Sequence, residues 1–87
     1  MRIKDNFLLK QIAGDYIVVP VGEKLVDFSA MIILNETGVF LWKLLKDDKS
    51  KQQLVEAVME EYEIDEQTAN ADVGEFIDTL KEKDLVA

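Results

Sequence analysis

The side chains of this chain that could do chemistry are mainly carboxylates. The sequence has 18 Asp and Glu residues, but no Cys and no His. Without thiols it has no cysteine nucleophile, disulfide framework or thiolate zinc site. Without imidazoles it lacks the usual general base and the commonest metal ligand. The two serines, Ser29 and Ser50, therefore have no histidine to activate them as nucleophiles.

Carboxylate pairs one helical turn apart are the remaining candidates. Asp72 and Glu75 form such a pair, which can bind a hard cation or share a proton. No ladder of acidic residues has calcium-loop spacing, and exposed acids on an amphipathic helix are the favoured interpretation. We expect a protein that is not an enzyme and that uses no metal or cofactor. The four glycines form neither a dinucleotide fingerprint nor a phosphate loop: Gly14, Gly22, Gly38 and Gly74.

The net charge of -8 is concentrated in the second half of the chain. Residues 1–46 carry +1 and residues 47–87 carry -9. Nucleic-acid binding depends on Lys and Arg that neutralise phosphates, so no nucleic-acid partner is expected. The acidic half suits a basic peptide or a basic patch on a protein, although a solvated helix surface is the more usual explanation of such a charge run.

The apolar segments are the length of strands. None approaches the ~20 residues that span a bilayer, and the start of the chain has no apolar core of a signal peptide. We expect one domain over residues 1–87, a cytoplasmic location and no membrane partner.

Two patterns divide the chain at Asn35. Before it, β-branched and aromatic residues are separated by turn signals, and after it the apolar spacing is helical. Residues 7–12, 15–21 and 30–34 are predicted strands, and residues 25–28 are candidates for a further hairpin arm. Short strands joined by tight turns predict an antiparallel meander.

Three helices follow, and each is preceded by a capping residue: Asn35, Ser50 or Asp65. Leu34 and Val39 have the spacing of a hydrophobic staple around the first cap. The order predicts an α+β fold, winged helix-turn-helix-like, in which a three-stranded antiparallel sheet is followed by three helices. Residues 85 and 86 are expected to fold back onto the core.

The third strand is the first candidate for a binding surface. If it lies at the sheet edge, its backbone can pair with an added strand, and an extended peptide would gain main-chain hydrogen bonds there. A buried core strand is the competing interpretation. The predicted peptide-binding residues of this strand are Ala30, Met31, Ile32, Ile33 and Leu34.

The third helix supplies the second candidate. Gly74 lies in its interior, where glycine costs about 1 kcal/mol relative to alanine, and it would allow another backbone to approach. It could instead accommodate a neighbouring element of the same chain. The residues on the same side of the helix as Gly74 lie beside a predicted core stripe of Val73, Phe76 and Leu80. This predicted wall of a groove consists of Asn70, Gly74, Ile77 and Lys81.

Three runs in order resemble the PqqD-like family. They are LNETGVFLWKLL, DDKSKQQLVEAVMEEYEID and ADVGEFIDTLKEKDLV, and the resemblance spans residues 7–86. Each run alone is a weak signal, but their order and spacing together are fairly specific. The turn at residues 47–49 departs from the family, in which many relatives have glycine there.

The resemblance implies a recognition element for ribosomally made, post-translationally modified peptides. Such a peptide chaperone binds a precursor's leader peptide as an added strand, here on residues 30–34 beside a third helix over residues 66–83. It presents the peptide to a modifying enzyme, often a radical S-adenosylmethionine enzyme. The Leu34–Gly38 run is predicted to be structural, as a helix cap and staple.

Two other functions fit the predicted shape. A winged-helix DNA-binding regulator would need a basic recognition helix, whereas the second and third helices are rich in acids. A protein–protein adaptor or dimer module without a peptide ligand is the other alternative, since an exposed edge strand also permits a homodimer.

Overall fold

The computed structural model describes residues 1–21 and 32–87. The candidate hairpin arm over residues 25–28, and Ala30 and Met31 of the predicted third strand, lie outside these ranges. Within them the element order is three strands and then three helices, which confirms the predicted α+β architecture.

Strands β1 (Phe7–Ile12) and β2 (Asp15–Pro20) form an antiparallel hairpin. Only Ala13 and Gly14 separate them, with φ angles of 52° and 88°. A two-residue loop with both φ angles positive has the twist of a type I′ turn, which matches the twist of the paired strands. This turn therefore sets the hairpin register, in which Ile12 lies opposite Asp15.

Strand β3 (Ile32–Leu34) pairs with β2, and the sheet order is β1-β2-β3. Among the described strands β3 is thus an edge, as the edge-strand interpretation requires. Pro20, which has no backbone N–H, lies at the end of β2 opposite Phe7.

Each helix begins at its predicted cap. The Asn35 side chain accepts the Gly38 N–H, Ser50 and Gln53 form a reciprocal capping box, and Asp65 accepts the Thr68 N–H. The helices are α1 (Glu36–Leu44), α2 (Lys51–Tyr62) and α3 (Glu66–Glu82).

The core lies between the inner face of the sheet and the helices. Val18 and Leu34 enter it from the strands, and Leu85 is buried after the chain turns back behind α3, as predicted. Ile3 and Val86 form a β-bridge that ties the first segment to the last. The helices contribute most of the core: Val39, Leu41, Trp42, Leu54, Val55, Val58, Ala69, Val73, Ile77 and Leu80.

The Ala13–Gly14 turn gives a test of how the hairpin is stabilised. Ala13 has a left-handed conformation that asparagine adopts more readily. Ala13→Asn should therefore raise the free energy of unfolding, measured by urea denaturation, by up to about 1 kcal/mol. Gly14→Ala should lower it through backbone strain alone, because a Cβ at Gly14 would meet no atom within 4 Å. Destabilisation by Ala13→Asn, or stabilisation by Gly14→Ala, would contradict this turn geometry.

Candidate functional site

An open groove of about 580 Å³ runs between β3, the start of α1 and one side of α3. β3 leads directly into α1 and the two line one part of the groove, while α3, which packs against α2, lines another. The described residues that line it are Asp15, Ile32, Ile33, Leu34, Asn35, Thr37, Gly38, Leu41, Asp72, Glu75, Phe76 and Thr79.

The floor of the groove is built by the cap of α1. The Asn35 side-chain oxygen accepts the Gly38 N–H at 2.8 Å. A Cβ on Gly38 would lie 3.2 Å from that oxygen and 3.3 Å from the Leu34 Cβ, which is tighter than ordinary contact. An alanine at position 38 would therefore require the Asn35 or Leu34 side chain to shift by a few tenths of an ångström. These contacts give the residue run Leu34–Gly38 a structural role.

The β3 residues alternate between the two faces of the sheet. Leu34 is buried against the helices and Ile32 is half-buried beside it, whereas the Ile33 side chain is 70% exposed on the opposite face. Ile33 lies opposite Ile17, which in turn lies opposite Lys10.

The backbone of Ile33 points toward the groove edge. The two-residue turn closes with a hydrogen-bonded pair, and such pairs alternate along antiparallel strands. Asp15, Ile17 and Val19 therefore direct their backbone N–H and C=O groups toward β1. The hydrogen bond from the Val21 N–H to the Asn6 carbonyl, at 2.9 Å, continues this alternation and supports the assignment. Tyr16 and Val18 must then bond Leu34 and Ile32 across the β2–β3 register.

It follows that the Ile33 N–H and C=O point away from β2. No other described strand pairs with β3 on that side. A donor and an acceptor in this arrangement are what an added strand requires.

The predicted helical wall lies elsewhere on α3. Ile77 is 5% exposed and belongs to the core, and a Cβ on Gly74 would meet the Lys51 Nζ of α2 at 3.7 Å. Asn70 and Lys81 are not among the residues that line the groove. The structure therefore brings the β3 residues to the groove but not these four helical residues.

The buried face of α3 is rotated relative to the predicted core stripe, which explains the difference. Successive helical residues are turned by about 100°, so Phe76 and Ile77 flank Val73 on opposite sides. We predicted a core stripe through Phe76, whereas the buried stripe runs through Ile77. The groove face therefore lies on the Phe76 side, with Asp72, Glu75 and Thr79. Both residues have core-compatible spacing from Val73, so spacing alone could not choose between them.

The groove is acidic. Asp15, Asp72 and Glu75 contribute three carboxylates, and no Lys or Arg is present among its described lining residues. In residues 1–21 and 32–87 the acidic partners of ion pairs are Asp5, Asp48 and Asp84, so the groove carboxylates are not neutralised there. No cluster of three potential metal ligands occurs in those residues.

The fold and groove define a small winged-helix-like domain in which the edge strand of the described sheet lies beside a helix. A family profile described as coenzyme PQQ synthesis protein D (PqqD) matches residues 15–86. The chain therefore belongs to the PqqD family, which confirms the resemblance seen in its three sequence runs.

A solved structure gives an independent comparison of the fold. It is described as "TbiB1 in Complex with the TbiA(beta) Leader Peptide", and it matches with a TM-score of 0.74 and 24% sequence identity. The match covers 99% of this chain and 94% of the other. No curated protein matches the chain. None of the helices in the described ranges combines the length and apolar character that a bilayer crossing requires.

Paired glycine substitutions test the two positions on the helices. Gly74→Ala should raise the free energy of unfolding by about 0.5–1 kcal/mol, because alanine favours a helix and its Cβ makes only an ordinary contact. Gly38→Ala should be less stabilising than Gly74→Ala, because its Cβ would lie only 3.2 Å from the Asn35 side-chain oxygen and 3.3 Å from the Leu34 Cβ. Urea denaturation measures both. Destabilisation by Gly74→Ala would mean that this side of α3 is packed more tightly than the structure indicates.

The Asp65 cap predicts a pH dependence of stability. Hydrogen bonds from the Thr68 side chain and backbone N–H lower the pKa of Asp65 in the folded state. The resulting stabilisation is fully present above about pH 3.9, the pKa of an unfolded aspartate, and is lost as the pH falls through the lower folded pKa. In urea denaturation, the stability difference between wild type and Asp65→Asn should therefore shrink from pH 6 to pH 3. A constant difference would contradict the assigned cause.

Proposed function

We propose that this chain binds the leader segment of a ribosomally made precursor peptide as a strand added to β3, and presents that peptide to a modifying enzyme. The observation that carries the proposal is the outward N–H and C=O of Ile33 at an open edge beside α3. An extended backbone placed there continues the sheet through main-chain hydrogen bonds. The role is one of binding without catalysis.

Membership of the PqqD family and the fold shared with TbiB1 support this proposal. TbiB1 is described in complex with a leader peptide, and the same architecture here has its groove between β3 and α3. We propose that the strand wall comprises residues 30–34, including Ala30 and Met31, and that the helical wall comprises Asp72, Glu75, Phe76 and Thr79. A contribution from Asn70, Gly74, Ile77 and Lys81 stays a sequence-based prediction that the same experiment tests.

The enzyme partner that best suits a peptide chaperone of this family is a radical S-adenosylmethionine enzyme, which would act on the core of the presented peptide. A homodimer formed through the β3 edge would compete with peptide for the same backbone groups. Light scattering with and without peptide distinguishes these roles, because a β3-mediated dimer should dissociate as peptide binds.

A DNA-binding regulator is less well supported. Its recognition helix would approach phosphates, and on α2 and α3 the exposed acids outnumber the exposed lysines. Such a surface repels DNA.

The test is a titration of isotope-labelled protein with a synthetic N-terminal leader from a short precursor peptide encoded beside the gene, followed by backbone amide NMR. Shifts should concentrate on residues 30–34 and 72–79, and the Ile33 amide should move as its N–H becomes hydrogen-bonded. Shifts confined to the outer sheet face or to α2 would count against the groove.

An Ile33→Pro variant tests strand addition directly. Proline removes the outward N–H but no bond to β2, so the domain should stay folded and the affinity for the leader should fall by about tenfold, the effect of one lost hydrogen bond. Ile33→Ala is the matched control, because it keeps the N–H and shortens the exposed side chain. Isothermal titration calorimetry gives both affinities. Equal leader affinity for the proline variant and wild type would exclude strand addition at this position.

A further inference from the structure

One side of α3 combines two carboxylates with an aromatic ring inside the groove. Asp72 and Phe76 are four residues apart, so they are neighbours on the helix surface, and Glu75 precedes Phe76. All three line the groove, and Phe76 is half-buried. Asp72 and Glu75 are solvent-exposed, and the half-buried Phe76 ring beside them adds an apolar surface to the two charges.

A lysine or arginine side chain matches this arrangement. Its methylene stem can pack along an aromatic ring while its cationic head remains among carboxylates. The face of the ring also attracts the cation itself. An acidic peptide side chain at the same place would be repelled by Asp72, Glu75 and Asp15.

The groove geometry strengthens this preference. Its carboxylates have no ion-pair partner among the described residues, and a concave surface lined by charge of one sign concentrates its field on the ligand. The exposed acids Glu60 and Glu61 of α2 do not line this groove.

We infer that the groove selects leader segments that carry Lys or Arg at positions facing α3. This inference rests on the proposed function and names the chemistry of its ligand. Side chains of an added strand alternate between the two faces of the sheet. The basic residues that meet Asp72, Phe76 and Glu75 are therefore separated by an even number of positions in the peptide. The residues between them extend the outer face beside Ile33, which is apolar and exposed.

The experiment uses a displayed library of random dodecapeptides, selected separately on three proteins. They are the wild-type chain, the variant Asp72→Lys/Glu75→Lys, and the control Glu60→Lys/Glu61→Lys. The control changes the net charge by the same amount on exposed acids outside the groove. It therefore separates a local effect from the overall charge of the protein.

Wild type and control should enrich peptides with Lys or Arg at positions an even number of residues apart, and the groove variant should not. A synthetic wild-type-selected peptide should bind the groove variant about tenfold more weakly and the control within about twofold, as expected for reversal of two partly screened charge pairs. Its affinity for wild type should also fall as salt rises from about 0.05 to 0.5 M.

Three results overturn the inference. Peptides that map to the groove by amide NMR but show no excess of basic residues would leave leader binding standing and remove the charge preference. So would equal affinity for wild type and the groove variant. Failure of any peptide to be enriched on the wild type, together with no response to the encoded leader, would remove the proposed function as well.

Discussion

The pairing of β2 with β3 is the constraint on which the rest of the structure depends. The two-residue turn at Ala13 and Gly14 determines which β2 residues hydrogen-bond to β1 and which to β3, because bonded and non-bonded pairs alternate along both ladders. A shift of one residue would turn the Ile33 backbone inward and would also move Leu34 out of the core. Core packing and the exposed donor and acceptor are therefore two consequences of one register.

The junction between strand and helix connects this register to the groove. Leu34 is the last strand residue and also part of the core, while Asn35 caps α1 and Gly38 lets the helix begin close to the strand. The contacts that stabilise the end of β3 thereby form the groove floor. The edge of β3 that pairs with no other described strand lies beside this floor, near the acidic and aromatic side of α3. A short sheet with a modest core can form a binding surface in this way without a deep cavity.

The sequence runs around the helix starts were highly informative because their physics is local. Asn35, Ser50 and Asp65 each accept a backbone N–H within three residues, so the cap is encoded where it acts. The same locality makes the strands 7–12 and 15–20 predictable from composition and from the Ala13–Gly14 turn. Family resemblance added the expected ligand of the groove, a leader peptide, and a modifying enzyme as the expected partner.

By itself, the sequence determined the element order, the caps, the acidic character and the third strand as the candidate edge, because each depends on neighbouring residues or on composition. Only the tertiary structure decided which side of α3 faces the groove. Phe76 and Ile77 both have the spacing of core residues, and their choice depends on how α3 rotates against α2 and the sheet. That rotation is set by packing between residues far apart in the chain. It buries Ile77, turns Gly74 toward Lys51 and brings Phe76, Asp72 and Glu75 to the groove.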